Sequence, residues 1–488
     1  MNAYYAVTPL DGINAQLTNP ATFTEGCYAH KELPLFGYSL KTEKGGKQAG
    51  MTFKAYAEAP SEANRKCVHE TLVTKSEFMM MDYQPPTLTE LLWYADAEGY
   101  YEAEEDCEIE MGLGVYGSAK LFIDGKLLID NATKQTKGTL FFNCGTIEEK
   151  GILPVKKGQT YHIKVEFASA PTSKLEQGKN VLVGGGAFRL GGCKVIVAEE
   201  EVKHAAALSK EFDQVIICAG LNADWEGEGA DRDSMELPGH MNALIAAVSA
   251  ANPSTIVCMQ SGTPVGMPWV DGVKGLIHAW YGGNETGNAI ADVLFGNTNP
   301  SAKLPLSFPK RIQDNPAFLN YVTERGRVLY GEDVFIGYRW YEQLDLPVLF
   351  PFGHGLSYTT FSYSSLSVTK TPGTEESKLT ISVKLTNTGS VAGAEVVQVY
   401  ISQKAPSIRR PFKELKGFKK VFLEKGESKI VEIVLETKYA ASFWDELRDA
   451  WVVEKDEFEV LVGGSSAVET KFETAKFEVE KAFWWNGL

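Results

Sequence analysis

Phe212-Asp213-Gln214-Val215-Ile216-Ile217-Cys218-Ala219-Gly220 runs almost directly into Asn222-Ala223-Asp224-Trp225-Glu226-Gly227-Glu228-Gly229-Ala230-Asp231-Arg232-Asp233-Ser234-Met235-Glu236-Leu237-Pro238-Gly239. The first stretch reads as a buried parallel strand, because apolar and β-branched residues follow one another without the alternation that a strand with one wet face would show. The second is a turn-rich loop of carboxylates, glycines, one arginine and one tryptophan at that strand's carboxyl end. Pro238 and Gly239 then open an amphipathic run from Met241 to Ala251, with Leu244, Ile245, Val248 and Ala251 on its apolar side. The loop therefore joins a strand to a helix.

Two more such units follow. Thr255-Ile256-Val257-Cys258-Met259-Gln260 is a second buried strand, ending in Ser261-Gly262-Thr263-Pro264. Gly275-Leu276-Ile277-His278-Ala279-Trp280 is a third, ending in Tyr281-Gly282-Gly283-Asn284-Glu285 before a helix from Thr286 to Phe295. Open α/β sheets bind ligands outside the carboxyl ends of their strands. One site is thus expected, lined by Asp224, Trp225, Glu226, Glu228, Asp231 and Arg232, with Trp280 and Glu285 as further candidates.

Such a lining suits a sugar. Carboxylates accept hydrogen bonds from hydroxyls, an indole covers the apolar ring face, and a protonated carboxyl can drive glycosidic cleavage. A metal site fits less well, since no histidine or cysteine accompanies the loop and its spacing matches neither a zinc nor an EF-hand pattern. Phosphate loops use glycines and lysine rather than four carboxylates. No metal or cofactor is expected. Residue types alone are equally compatible with a solvated acidic turn ordered by its arginine.

The segment from Asn222 to Arg232 resembles the second-domain signature of family 3 glycoside hydrolases, the β-glucosidases in particular. Further blocks fall in that family's order: 260–265, 280–296, Lys303-Leu304-Pro305-Leu306-Ser307-Phe308-Pro309-Lys310, Tyr330-Gly331-Glu332-Asp333-Val334-Phe335-Ile336-Gly337-Tyr338-Arg339, and Phe350-Pro351-Phe352-Gly353-His354-Gly355-Leu356-Ser357-Tyr358. The resemblance implies a retaining enzyme that removes terminal non-reducing β-D-glucosyl residues. Its general acid/base maps to Glu228, with Glu226 as second choice, and Asp224, Trp225, Asp231 and Arg232 map to substrate binding. Ala230 stands where the family usually has a bulky residue.

The family's enzymes carry an amino-terminal (β/α)8 barrel that supplies the aspartate nucleophile. Nothing before residue 200 shows eight alternating strand and helix patterns, and Tyr4-Tyr5-Ala6-Val7-Thr8-Pro9-Leu10-Asp11-Gly12-Ile13 resembles a point inside the second domain. The chain is therefore expected to be the carboxyl-terminal part of a longer enzyme, with the absent barrel as its functional partner and β-glucosides as substrate.

With 488 residues and 44% hydrophobic content, the chain has room for about three domains. A net charge of −15 without a basic cluster argues against nucleic acid. No run approaches about 18 apolar residues, so no membrane span is expected. The start lacks a secretory leader, which leaves the destination open with the cytoplasm slightly favoured. Seven cysteines without paired spacing read as mostly buried thiols.

The expected architecture is multidomain, α/β plus all-β. Residues 1–27 and 198–361 form an α/β sandwich with a parallel sheet, 28–197 an inserted β-sandwich, and 362–488 a terminal β-sandwich. In the insert, 119–131 reads as a hairpin around Asp124-Gly125, continued by strands at 139–143 and 159–167. This part resembles the PA14 module of some fungal β-glucosidases, which would lean over the pocket without a calcium site. The glycine run 184–192 is not a nucleotide loop, because strand-like 194–197 follows it. Residues 379–385, 395–401, 429–435 and 457–463 alternate as sandwich strands, resembling the fibronectin type III-like domain of the family. Phe483-Trp484-Trp485 reads as a docking seam and His354 as a turn residue. Two other readings stay open: a non-catalytic carbohydrate-binding or partner protein, and a β-xylosidase of the same family.

Overall fold

The computed structural model describes residues 5–80, 83, 88, 90–175, 185–228 and 231–487. Its parallel sheet consists of Val215–Gly220, Thr255–Gln260 and Gly275–His278 in that spatial order. The first two strands pair in direct register, Ile217 beside Val257 and Cys218 beside Cys258. Ile217, Ala219, Val257 and Met259 face helix Met241–Ala251, whose Leu244, Ile245 and Val248 complete one core. The third strand stops at His278, two residues before the expected end: Trp280 adopts a positive φ of 54° as the chain turns out of the sheet.

The chain's beginning packs onto this unit through helix Pro9–Gln16, whose capping box closes between Thr8 and Asp11. Contact with helix Thr286–Leu294 is made by two glycines, because backbone meets backbone there. A Cβ on Gly12 would lie 2.2 Å from the Gly287 carbonyl oxygen, and one on Gly287 2.0 Å from that of Thr8. The Val7 N–H donates to the Asn284 carbonyl at 2.8 Å and the Gly287 N–H to the Val7 carbonyl at 3.0 Å.

An all-antiparallel β-sandwich lies between these two parts of the chain. One sheet runs Cys67–Val73, Met51–Tyr56, Tyr94–Glu102, Thr160–Ala168, Ser118–Ile123 and Lys126–Asn131; the other runs Glu77–Met79, Ala187–Lys194, Cys107–Tyr116 and Glu149–Val155. Met51, Leu113, Leu121, Ile163, Phe167 and Phe188 fill the space between them. The hairpin around Asp124-Gly125 forms as its turn chemistry demands, both residues at positive φ. The strand expected at 139–143 does not form. Phe141, Phe142 and Asn143 sit at positive φ in a tight turn, with the Gly145 N–H bonded to the Leu140 carbonyl at 2.9 Å. The glycine run also differs: Gly191 and Gly192 lie inside strand Ala187–Lys194, and Val197 precedes helix Ala198–Leu208. A Cβ on Gly191 would collide with Leu33, so these glycines serve close packing.

The last part is a second β-sandwich, with Phe361–Lys370, Lys378–Asn387 and Ser428–Glu436 facing Glu414–Leu423, Gly393–Gln403, Asp456–Gly463 and Glu473–Val479. It is fixed to the α/β unit by Lys303–Glu395 at 2.9 Å, Lys413–Glu342 at 2.8 Å, and a bond from the Leu415 N–H to the Tyr338 hydroxyl at 2.8 Å. Phe483–Trp485 is not a seam between domains. It pairs with Ala450–Val453 inside this last unit, which buries Trp485 and leaves Trp484 exposed.

Candidate active site

The acidic loop begins where strand Val215–Gly220 ends. Gly220 has φ +148°, and a Cβ there would stand 1.9 Å from the Gln260 carbonyl oxygen, so only glycine lets the strand close this tightly on its neighbour. The Leu221 N–H holds the same carbonyl at 2.8 Å. Asn222 then organises a tight turn. Its carbonyl accepts from the N–H groups of Trp225 and Glu226, both at 3.0 Å, and its side-chain oxygen accepts from the Asp224 N–H at 3.0 Å.

That turn sends Glu226 back across the sheet. Its carboxylate accepts hydrogen bonds from the Gly262 N–H at 2.7 Å, the Thr263 hydroxyl and the Tyr281 hydroxyl. Arg232 donates to Thr263 Oγ1 at 3.2 Å and to the Glu236 carbonyl at 2.9 Å. One carboxylate thus ties together the loops after all three strands. Partial burial pushes the Glu226 carboxyl up, but the bonds from Thr263, Tyr281 and Gly262, with the Arg232 charge, outweigh this and hold it below the ordinary glutamate value. Burial and the same carboxylate push the Tyr281 phenol up. Beneath the cluster, His278 packs edge-on to Trp280 and Phe308, and its burial favours the neutral ring.

Glu228, two residues further, is exposed and has no hydrogen-bond or ion-pair partner among the described residues. Gly229 and Ala230 lie outside the described residues. Asp231 accepts a hydrogen bond from the Tyr321 hydroxyl at 2.5 Å, which brings the 315–337 segment to the site. Asp224 is half-buried at the turn, and the Asn222 amide approaches its carboxylate at 3.4 Å. Trp225 is committed elsewhere. Its indole N–H donates to the Ala29 carbonyl at 2.5 Å, and its ring packs against the α/β core, so the linker that enters the β-sandwich insert is pinned to the acidic loop. Glu285 bonds with the Tyr5 hydroxyl at 2.6 Å and the Asn288 amide at 2.5 Å, and Trp280 lies half-buried against the core.

Thr263 and Tyr281 escaped the sequence reading, although both stand in the glycine-rich loops that end the second and third strands. Hydroxyls in loops after buried parallel strands are the signal that could have found them. A cavity of about 440 Å³ opens at the foot of the acidic loop, along the outer edge of strand Val215–Gly220, lined by Cys27, Cys218, Asn222, Leu244, Gln260 and Tyr281 among others. It does not enclose Glu228. No group of three or more histidine, cysteine, aspartate or glutamate side chains among the described residues is arranged to hold a metal ion. No helix among them is long and apolar enough to cross a membrane.

Residues 1–358 match the model of the glycosyl hydrolase family 3 C-terminal domain, and 395–466 match that of the fibronectin type III-like domain. A protein described as probable beta-glucosidase I from Aspergillus fumigatus is 50% identical over 492 residues, and its counterpart from Aspergillus clavatus 51% identical over 492. Each alignment covers 100% of this chain and 58% of the relative. The crystal structure of a beta-glucosidase from Kluyveromyces marxianus in complex with glucose superposes with a TM-score of 0.92 at 42% identity, over 100% of this chain and 58% of that one. The chain therefore spans 58% of the length of these relatives.

Proposed function

The chain belongs to glycosyl hydrolase family 3, and from that premise we propose that it carries the general acid/base of a retaining β-glucosidase acting on terminal non-reducing β-D-glucosyl residues. Glu228 is that group. The observation that carries the assignment is the contrast between two glutamates two residues apart. Glu226 has its carboxylate engaged by three donors and held ionised, whereas Glu228 is exposed and has no partner among the described residues. A general acid must accept a proton from solvent and deliver it to a leaving oxygen. A carboxylate clamped by three donors is a poor proton source, and turning it towards a substrate would break the clamp.

In this reading Glu228 protonates the glycosidic oxygen as the bond to the anomeric carbon breaks. A nucleophilic aspartate on a (β/α)8 barrel, standing about 5 Å from Glu228, forms the glycosyl-enzyme bond. Glu228 then takes a proton from the water that releases glucose. Asp224, Asp231 and Arg232 offer polar contacts to the sugar around it, and Trp225 holds the loop in place rather than covering a sugar face.

The test is hydrolysis of an aryl β-glucoside by this chain alone and by a mixture with a separately expressed family 3 barrel domain. Activity is expected in the mixture alone, and Glu228→Ala should abolish most of it while leaving the unfolding transition unchanged. A fully active Glu228→Ala mixture would move the acid/base elsewhere. Activity of the isolated chain would mean that the nucleophile lies within these residues.

A further inference from the structure

Cys218 and Cys258 occupy the same rung of the parallel sheet, in direct register on neighbouring strands. Side chains alternate along a strand, and Ile217, Ala219, Val257 and Met259 point into the core shared with helix Met241–Ala251. Both thiols therefore project from the opposite face, side by side. Their surroundings differ. Cys218 is exposed, while Cys258 is wholly buried. Neighbouring strands lie about 4.7–4.9 Å apart, within the Cα separation that a disulfide spans. Neither thiol has a role in the proposed glycoside chemistry.

From this geometry we infer that Cys218 and Cys258 form a peroxide-reactive dithiol, in which the exposed thiol is attacked first and the buried one resolves it into a disulfide. The Cys258 side chain beside it holds Cys218 below the ordinary thiol value. The Cys218 neighbour and burial together keep Cys258 protonated. In the first step the Cys218 thiolate attacks one oxygen of hydrogen peroxide. The O–O bond breaks, hydroxide leaves and is protonated to water, and Cys218 becomes a sulfenic acid. In the second, the Cys258 sulfur attacks the Cys218 sulfur, the S–O bond breaks, and a second water leaves with the Cys258 proton. Two thiols and one peroxide become one disulfide and two waters. The new bond would lock the first two strands together two residues before the Gly220–Gln260 rung from which the acidic loop departs.

The 488-residue chain, treated with hydrogen peroxide and then alkylated under denaturing conditions, should yield one peptide pair joined through Cys218 and Cys258. It should be lighter by two hydrogen atoms and be separated again by dithiothreitol. Cys67, exposed but in register with Tyr56 rather than a thiol, should be recovered alkylated or as an oxyacid and never in a disulfide. Recovery of Cys258 as an alkylated thiol, with Cys218 alkylated or driven to the sulfinic acid, would overturn the inference. In Cys258→Ala, Cys218 should oxidise without forming a cross-link; a cross-link from Cys218 to any other cysteine in that variant would equally refute the pairing.

Discussion

Replacing Glu226 by alanine removes the one acceptor that joins the three strand-end loops. Three donors lose their partner: the Gly262 N–H and the hydroxyls of Thr263 and Tyr281. Hydrogen bonds to an ionised group contribute roughly 1.5–3 kcal/mol each when buried. Glu226 is only partly buried, and water competes for each donor, so about 0.5–1 kcal/mol apiece is the appropriate scale. The variant should thus weaken the clasp by about 1.5–3 kcal/mol, equivalent to roughly ten- to hundredfold faster local opening. Hydrogen exchange at the Gly262 amide reads this directly, since that proton sits in the broken bond. The sign with pH follows from the lowered carboxyl of the folded state. Its stabilising contribution is complete above the ordinary glutamate value of 4.5 and is lost as the pH falls through the lower folded value. Wild-type protection at Gly262 should therefore decay in acid towards that of Glu226→Ala, whose own intrinsic-rate-corrected protection stays flat. Equal protection in the two proteins at neutral pH would refute the clasp.

Trp225→Phe keeps the ring but deletes the bond to the Ala29 carbonyl, and should cost about 1 kcal/mol with faster proteolysis near residue 29. Gly287→Ala places a methyl group against the Thr8 carbonyl and should lower the free energy of unfolding by about 1–3 kcal/mol, measured by denaturant titration. Asn131 lies in the sequon Asn131-Ala132-Thr133, but its buried amide donates to the Leu113 carbonyl and Thr146 Oγ1. Asn131 of the folded protein should therefore resist glycosylation by mass spectrometry, and Asn131→Ala should destabilise by about 1–3 kcal/mol.

The α/β unit was legible because its signals are local. Unbroken apolar runs at 215–220 and 255–260, with Pro238 ahead of an amphipathic stretch, specify strand, loop and helix wherever the rest of the chain goes. The same holds for the Asp124-Gly125 hairpin and for the alternating strands of the terminal sandwich. Local reading failed at 139–143, where a β-like composition, Thr139-Leu140-Phe141-Phe142-Asn143, is bent into left-handed backbone. It failed again at Gly191 and Gly192, where composition suggested a loop and close packing against Leu33 and Phe36 places the glycines in a strand.

The acidic loop shows the same division. Its composition and its place after a parallel strand marked it as a site, and its resemblance to family 3 singled out Glu228. What separates Glu228 from Glu226 is a matter of partners. Those of Glu226 come from residues 262, 263 and 281, and the partner of Trp225 from residue 29, on the far side of the inserted sandwich. A sequence fixes which groups can ionise, donate or stack. Which carboxylate is clamped and which stays open depends on donors brought within 3 Å by the packing of distant strands, and only the tertiary structure decides that.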